Sequence, residues 1–115
     1  MDILVVEDSR DVFMDIKKTL ERSISGARVT TWSGDGGMES AKLVILDLEH
    51  RASDTILSAV KTRPGVPVIL IAAHNGNPER LIGALDAGAD DYLYKPLDKI
   101  ELQERVQATL WEARQ

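Results

Sequence analysis

Leu43-Val44-Ile45-Leu46-Asp47 is the stretch on which the fold of this chain turns. A short continuous apolar run rich in β-branched residues suits a strand covered on both faces, the usual condition of strands in a parallel sheet. The aspartate follows at the carboxyl end, where open α/β sheets place their ligands. Two other segments fit beside it. Ile3-Leu4-Val5-Val6-Glu7-Asp8 is an apolar run ending in two adjacent acids, and Tyr92-Leu93-Tyr94-Lys95-Pro96 is a β-prone run ending in a lysine. As parallel neighbours, these strands bring the carboxylates of Glu7, Asp8 and Asp47 and the Lys95 ammonium into one crevice. Such a set suits a divalent cation with an anion partner, and Asp47 is its natural nucleophile.

Outward from these runs, strand-like and helix-like segments alternate, which reads as βαβ units around a parallel sheet. Val66–Ile71 is a further buried strand, and Arg28-Val29-Thr30-Thr31-Trp32 is polar enough for an edge. Val12, Phe13, Ile16, Leu20 and Ile24 recur at helical spacing after Ser9, a candidate cap. Asn77-Pro78 pairs an N-cap with proline at the first helical position, and Gly88 suits the stop of that helix. Asp98 and Glu101 form a capping box, with Leu97 placed to staple onto Leu102. The stripe of that last helix is Leu102, Val106 and Leu110, and Trp111 falls off it. A helix between Asp54 and Thr62 is short. Ser33-Gly34-Asp35-Gly36-Gly37-Met38 reads as a loop, leaving little chain for a helix before Leu43. Its glycines follow a polar strand rather than opening a helix, so they are not a dinucleotide fingerprint.

At 115 residues the chain reads as a single domain, residues 1–115, with 43% hydrophobic and 29% charged residues, a globular balance. There is no cysteine for a disulfide or thiolate site, and two histidines, His50 and His74, supply a zinc centre poorly. The longest apolar stretch, Val66 to Ala73, is too short to cross a bilayer. The acidic start, Met1-Asp2, does not suit a signal or transit peptide. A net charge of −5 argues against binding nucleic-acid phosphates. The expectation is a soluble cytoplasmic domain without membrane or nucleic-acid partners.

Four blocks together resemble the receiver domain of bacterial response regulators, the phosphorelay proteins of two-component systems. They are Leu4-Val5-Val6-Glu7-Asp8-Ser9, Leu43-Val44-Ile45-Leu46-Asp47-Leu48, Val66-Pro67-Val68-Ile69-Leu70, and Ala87-Gly88-Ala89-Asp90-Asp91-Tyr92-Leu93-Tyr94-Lys95-Pro96-Leu97. The last is the most specific, and their order and spacing extend the likeness over essentially the whole chain. The resemblance implies an α/β three-layer sandwich with a five-stranded parallel sheet in the order 2-1-3-4-5. The second helix is short or missing. It implies Asp47 as phosphoacceptor, with Mg²⁺ ligated by Asp8, Asp47 and the backbone carbonyl of Glu49, and by Glu7 through water. Lys95 pairs with a phosphoryl oxygen, and Tyr92 is the aromatic whose position reports activation. The phosphodonor is a histidine kinase or phosphotransfer protein. The signal leaves through the fourth helix, fifth strand and fifth helix of that fold, toward a protein target, an output domain or a second copy. Such a domain is not an enzyme on a separate substrate, although it can catalyse its own phosphorylation and dephosphorylation. It is either a stand-alone regulator or the receiver of a longer protein.

The chemistry agrees with that resemblance. A carboxylate attacks phosphorus only when the phosphoryl charge is offset, and Mg²⁺ habitually takes one or two carboxylates plus a phosphate. Three acids gathered without a cation would repel one another.

The chain departs from the family pattern in places. The hydroxyl residue usual at the end of the fourth strand is Ala72 here. The proline and glycine usual four and eight residues after the acceptor are Arg51 and Thr55. Glu49 and His74 hold the two variable positions that tune dephosphorylation. Glu49 can repel a phosphoryl group or orient a water, and His74 can donate to it or screen it. Plainer readings stand beside these. Asp8 alone suits a solvated strand end, Tyr92 and Tyr94 suit packed strand aromatics, and Ile82 and Trp111 suit stray exposed apolar residues or part of an interaction face. Two other functions remain open: a receiver-like interaction or dimerisation module working without phosphorylation, motivated by Ala72, and a Mg²⁺-dependent phosphohydrolase or nuclease, suggested by Asp47-Leu48-Glu49. The second has no room for a substrate cap and the wrong charge for nucleic acid.

Overall fold

The computed structural model describes residues 1–34, 38–63 and 65–114. Each strand-like run forms a strand: β1 (Asp2–Val6), β2 (Arg28–Thr31), β3 (Ala41–Asp47), β4 (Val68–Ala72) and β5 (Asp91–Tyr94). The helices are α1 (Arg10–Ser23), α2 (Ser53–Lys61), α3 (Pro78–Asp86) and α4 (Lys99–Ala113). All strand pairs are parallel, and the sheet order is β2-β1-β3-β4-β5. The expected three-layer α/β architecture is therefore the one found.

Alternation along the strands sorts the core into two layers. Ile3, Val5, Leu43, Ile45, Ile69, Ile71 and Leu93 pack with Ile16 and Leu20 of α1 and Leu102 and Val106 of α4. Leu4, Val6, Val44, Leu46, Val68, Leu70 and Ala72 face the other way, onto Ile56, Leu57 and Val60 of α2 and Leu81 and Ala84 of α3. Because both faces are covered, the central strands carry no polar alternation, and that is what made them legible as continuous runs.

Strand β4 starts at Val68 rather than Val66. Pro67 has no N–H to give the ladder, although its carbonyl accepts from Val44 N–H at 3.0 Å. Strand β2 stops one residue before Trp32, whose N–H still donates to the Val5 carbonyl at 3.1 Å. Among the described residues no helix joins β2 to β3. Residues 35–37 of the expected glycine loop lie outside the described residues. Trp32 and Met38, both half-buried, pack against the α2/α3-side core. Side chains thus cover part of the surface that a helix in this connection would cover.

The caps read from sequence are made. The Ser9 hydroxyl accepts from Val12 N–H at 3.3 Å, Asn77 Oδ1 from Glu79 N–H at 2.9 Å, and Asp98 Oδ1 from Glu101 N–H at 3.0 Å. After α3 the chain turns through Gly88 at φ +119°, a backbone conformation that suits glycine. On α4, Leu102 and Val106 are buried, Leu110 is half-buried and Trp111 is exposed. Replacing Asp98 by alanine should cost about 1 kcal/mol through loss of the α4 cap. The check is urea denaturation against Asp98→Asn, which keeps the acceptor and most of the stability. Among the described residues no helix is long and apolar enough to cross a membrane.

Candidate functional site

The carboxyl ends of β1, β3 and β5 place Glu7, Asp47 and Lys95 together. The Lys95 ammonium lies 3.1 Å from Asp47 Oδ2, to which it donates, and 3.0 Å from Glu7 Oε1. The second contact is an ion pair, and the Lys95 ammonium is what offsets buried Glu7 Oε1 among the described residues. The other Glu7 oxygen, Oε2, accepts from Ser9 N–H at 3.0 Å, which turns the carboxylate inward below the start of α1. Asp47 is buried, and its Oδ1 accepts from Glu49 N–H at 3.0 Å. Burial works against the Lys95 ammonium, but the Glu7 and Asp47 carboxylates outweigh it and hold its pKa above the ordinary lysine value.

Asp8 is placed differently from its neighbour. It is exposed, and its Oδ1 stands 3.2 Å from Nε2 of His50, a buried residue of the β3–α2 loop. Reading the sequence left His50 out of the site; its only signal was its place three residues after Asp47. Arg80 was also missed. From α3 its guanidinium donates to the Leu48 carbonyl at 2.9 and 3.2 Å and to the Ser53 hydroxyl. Together His50 and Arg80 hold the β3–α2 loop, which carries Arg51, and the start of α2, which carries Thr55.

The remaining candidates border the site on the β4 side. Ala72, buried at the end of β4, pairs in register with Tyr94. A cavity of about 80 Å³ is lined by Ala72, Glu49, His74 and Tyr94 among others. The Glu49 carboxylate lies across the β4–α3 loop, where its Oε1 would be 3.1 Å from a Cβ built on Gly76. His74 stacks on Tyr94 at 4.6 Å between ring centroids, and Tyr94 meets Tyr92 edge-on at 5.5 Å. Both tyrosines are partly exposed at the edge of the sheet. Ile82 and Trp111 are exposed.

Among the described residues no three acidic or histidine side chains converge closely enough to hold a metal ion between them. Mg²⁺ does not require that, since it keeps several waters and takes few carboxylates. Glu7, Asp8, Asp47 and Lys95 sum to two net negative charges, with the Lys95 ammonium shared between Glu7 and Asp47. This donor set suits a hard divalent cation, which Asp8, Asp47 and the Glu49 carbonyl would hold.

A family model described as the response regulator receiver domain matches residues 3–107. The transcriptional activator protein IrlR of Burkholderia pseudomallei is 34% identical, covering 96% of this chain and 50% of its own length. The response regulator RppA of Synechocystis is 36% identical, covering 94% of this chain and 50% of its own. The chain thus spans about half the length of both relatives. Among solved structures, a CheY-like receiver domain protein from Methanospirillum hungatei superposes with a TM-score of 0.82 at 27% identity, over 98% of this chain and 95% of that one. NtrX from Brucella abortus superposes at 0.86 and 27% identity, over 98% of this chain and 28% of its own. With the match running from the first strand into the last helix, the chain belongs to the response regulator receiver domain family of two-component systems.

Proposed function

We propose that this receiver accepts a phosphoryl group on Asp47 in a Mg²⁺-dependent reaction and signals through the face formed by α3, β5 and α4. One observation carries the reading: Lys95 Nζ sits between the Glu7 and Asp47 carboxylates, at 3.0 and 3.1 Å, at the carboxyl edge of the sheet. An Asp47 oxygen forms the new P–O bond. The P–N bond of a phosphohistidine, or the P–O bond of an acyl phosphate, breaks with its electron pair leaving on the donor. Mg²⁺, when bound, supplies the positive charge that lets one anion approach another. Lys95 then moves its interaction to a phosphoryl oxygen. The aromatic file His74–Tyr94–Tyr92 runs from the site to the exposed edge and supports an output there.

The donor in this reading is a histidine kinase or phosphotransfer protein in the cytoplasm. The receiver of the signal is a protein target, a second copy or an output domain of the same polypeptide, as the half-length span of the relatives suggests. The domain is a phosphoacceptor rather than an enzyme on a separate substrate. Ala72 favours a second reading, a receiver-like docking module that works without phosphorylation. Intact mass after incubation with acetyl phosphate and Mg²⁺ separates the two. A single phosphoryl adduct on the parent, absent from Asp47→Ala and after chelation, is expected. No adduct from acetyl phosphate or from a panel of autophosphorylated kinases would leave the docking module as the function.

A further inference from the structure

We infer that His50 is a positioning residue for the cation site, orienting the Asp8 carboxylate; this rests on the Mg²⁺-dependent reading above. The imidazole is itself held fast. It is 6% exposed, its Nδ1 accepts from Ala52 N–H at 3.0 Å, and Trp32 meets it edge-on at 5.5 Å between centroids. With the Nδ1 lone pair engaged, the neutral ring carries its proton on Nε2. Nε2 therefore carries the ring proton, faces Asp8 Oδ1 at 3.2 Å as an ion-pair-range contact, and is not a metal ligand. Asp8 has the opposite character: its side chain is 79% exposed and, without His50, free to rotate in solvent. Of the two, the buried ring sets the geometry and the carboxylate follows. Holding Oδ1 leaves Oδ2 for the cation.

The same residue also fixes the other side of the site. Its backbone N–H donates to the Asp47 carbonyl at 3.0 Å, directly after Glu49, whose carbonyl is the third candidate ligand. One side chain thus ties the loop after β3 to the acid after β1. Outer-shell partners of a ligating carboxylate typically govern 10- to 100-fold in metal affinity.

Two substitutions separate this role from the packing of the loop. His50→Asn places an amide oxygen near the Nδ1 position, keeping an acceptor for Ala52 N–H while removing the donor to Asp8. His50→Gln places an amide N–H near the Nε2 position and keeps that donor. Mg²⁺ titration by calorimetry, with thermal unfolding in parallel, should show affinity at least about tenfold weaker for His50→Asn. His50→Gln should retain most of the affinity even where its stability is lower. Parent-like affinity in both variants would overturn the role of His50 while leaving the cation site standing. Tighter binding by His50→Asn would also overturn it, showing that His50 holds Asp8 away from the cation. If the parent itself binds no Mg²⁺, or binds no better than Asp8→Ala, the cation site and the role of His50 fall together.

Discussion

Lys95→Ala should slow phosphorylation of Asp47 by acetyl phosphate about 10²-fold or more, while Mg²⁺ still binds. Lys95 approaches Asp47 from β5, and a phosphoryl group arriving on Oδ2 would take the position its ammonium now faces. A fixed donor aimed at charge developing in a transition state is typically worth 10²–10³ in rate. The ammonium does not belong to the proposed cation shell of Asp8, Asp47 and the Glu49 carbonyl, and its removal takes away a competitor for Asp47 Oδ2. Rate and metal affinity are therefore expected to separate, and stopped reactions read by intact mass beside Mg²⁺ calorimetry would show it. A variant phosphorylated at the parent rate would leave Lys95 with a structural part only. Its titration supplies an independent check. Because Glu7 and Asp47 outweigh burial and raise its pKa, Lys95 contributes stability that is fully present below the unfolded lysine value, about 10.4. That contribution is lost as pH rises through the higher folded value. The parent should lose its advantage over Lys95→Ala in that alkaline window, measured by thermal unfolding, and not near neutrality.

Ala72→Thr should strengthen the response to phosphorylation. A hydrogen bond to a charged group contributes about 1.5–3 kcal/mol, a factor of roughly 10–150 in a two-state equilibrium. Almost complete switching of such an equilibrium takes about 5.5 kcal/mol. The missing hydroxyl is therefore a sizeable share of the switching energy rather than a detail. Space for it exists, since Ala72 borders the small cavity beside Glu49, His74 and Tyr94. The measurement is hydrogen exchange of residues 72–76 and of β5, with and without acetyl phosphate. The phosphorylation-dependent change should be larger in Ala72→Thr than in the parent. Equal changes in both proteins would mean that the His74–Tyr94–Tyr92 file, or another path, carries the coupling without the hydroxyl.

Leu43–Leu46 and Ile3–Val6 were readable because strands covered on both faces have no polar alternation to obscure them, and both layers pack on them here. Ser9, Asn77 and Asp98 were readable because a cap is local, made to an N–H two or three residues on. The boundary at Val68 was missed by two residues because apolar character continues through Pro67, while ladder donation does not.

The strand runs, the helix starts and the acids and lysine that end three of the strands are all written in residue order. Periodicity, capping and composition are properties of neighbours along the chain, and they survive in one dimension. How those groups pair depends on packing in three dimensions. That packing turned Glu7 inward onto Lys95 and Asp8 outward onto His50, although the two acids are adjacent, because Ser9 N–H claims one carboxylate and a buried imidazole faces the other. It also brought Arg80 across from α3 to the Leu48 carbonyl, 32 residues away. Contacts of that separation depend on how two layers pack against one sheet, and no local pattern encodes them.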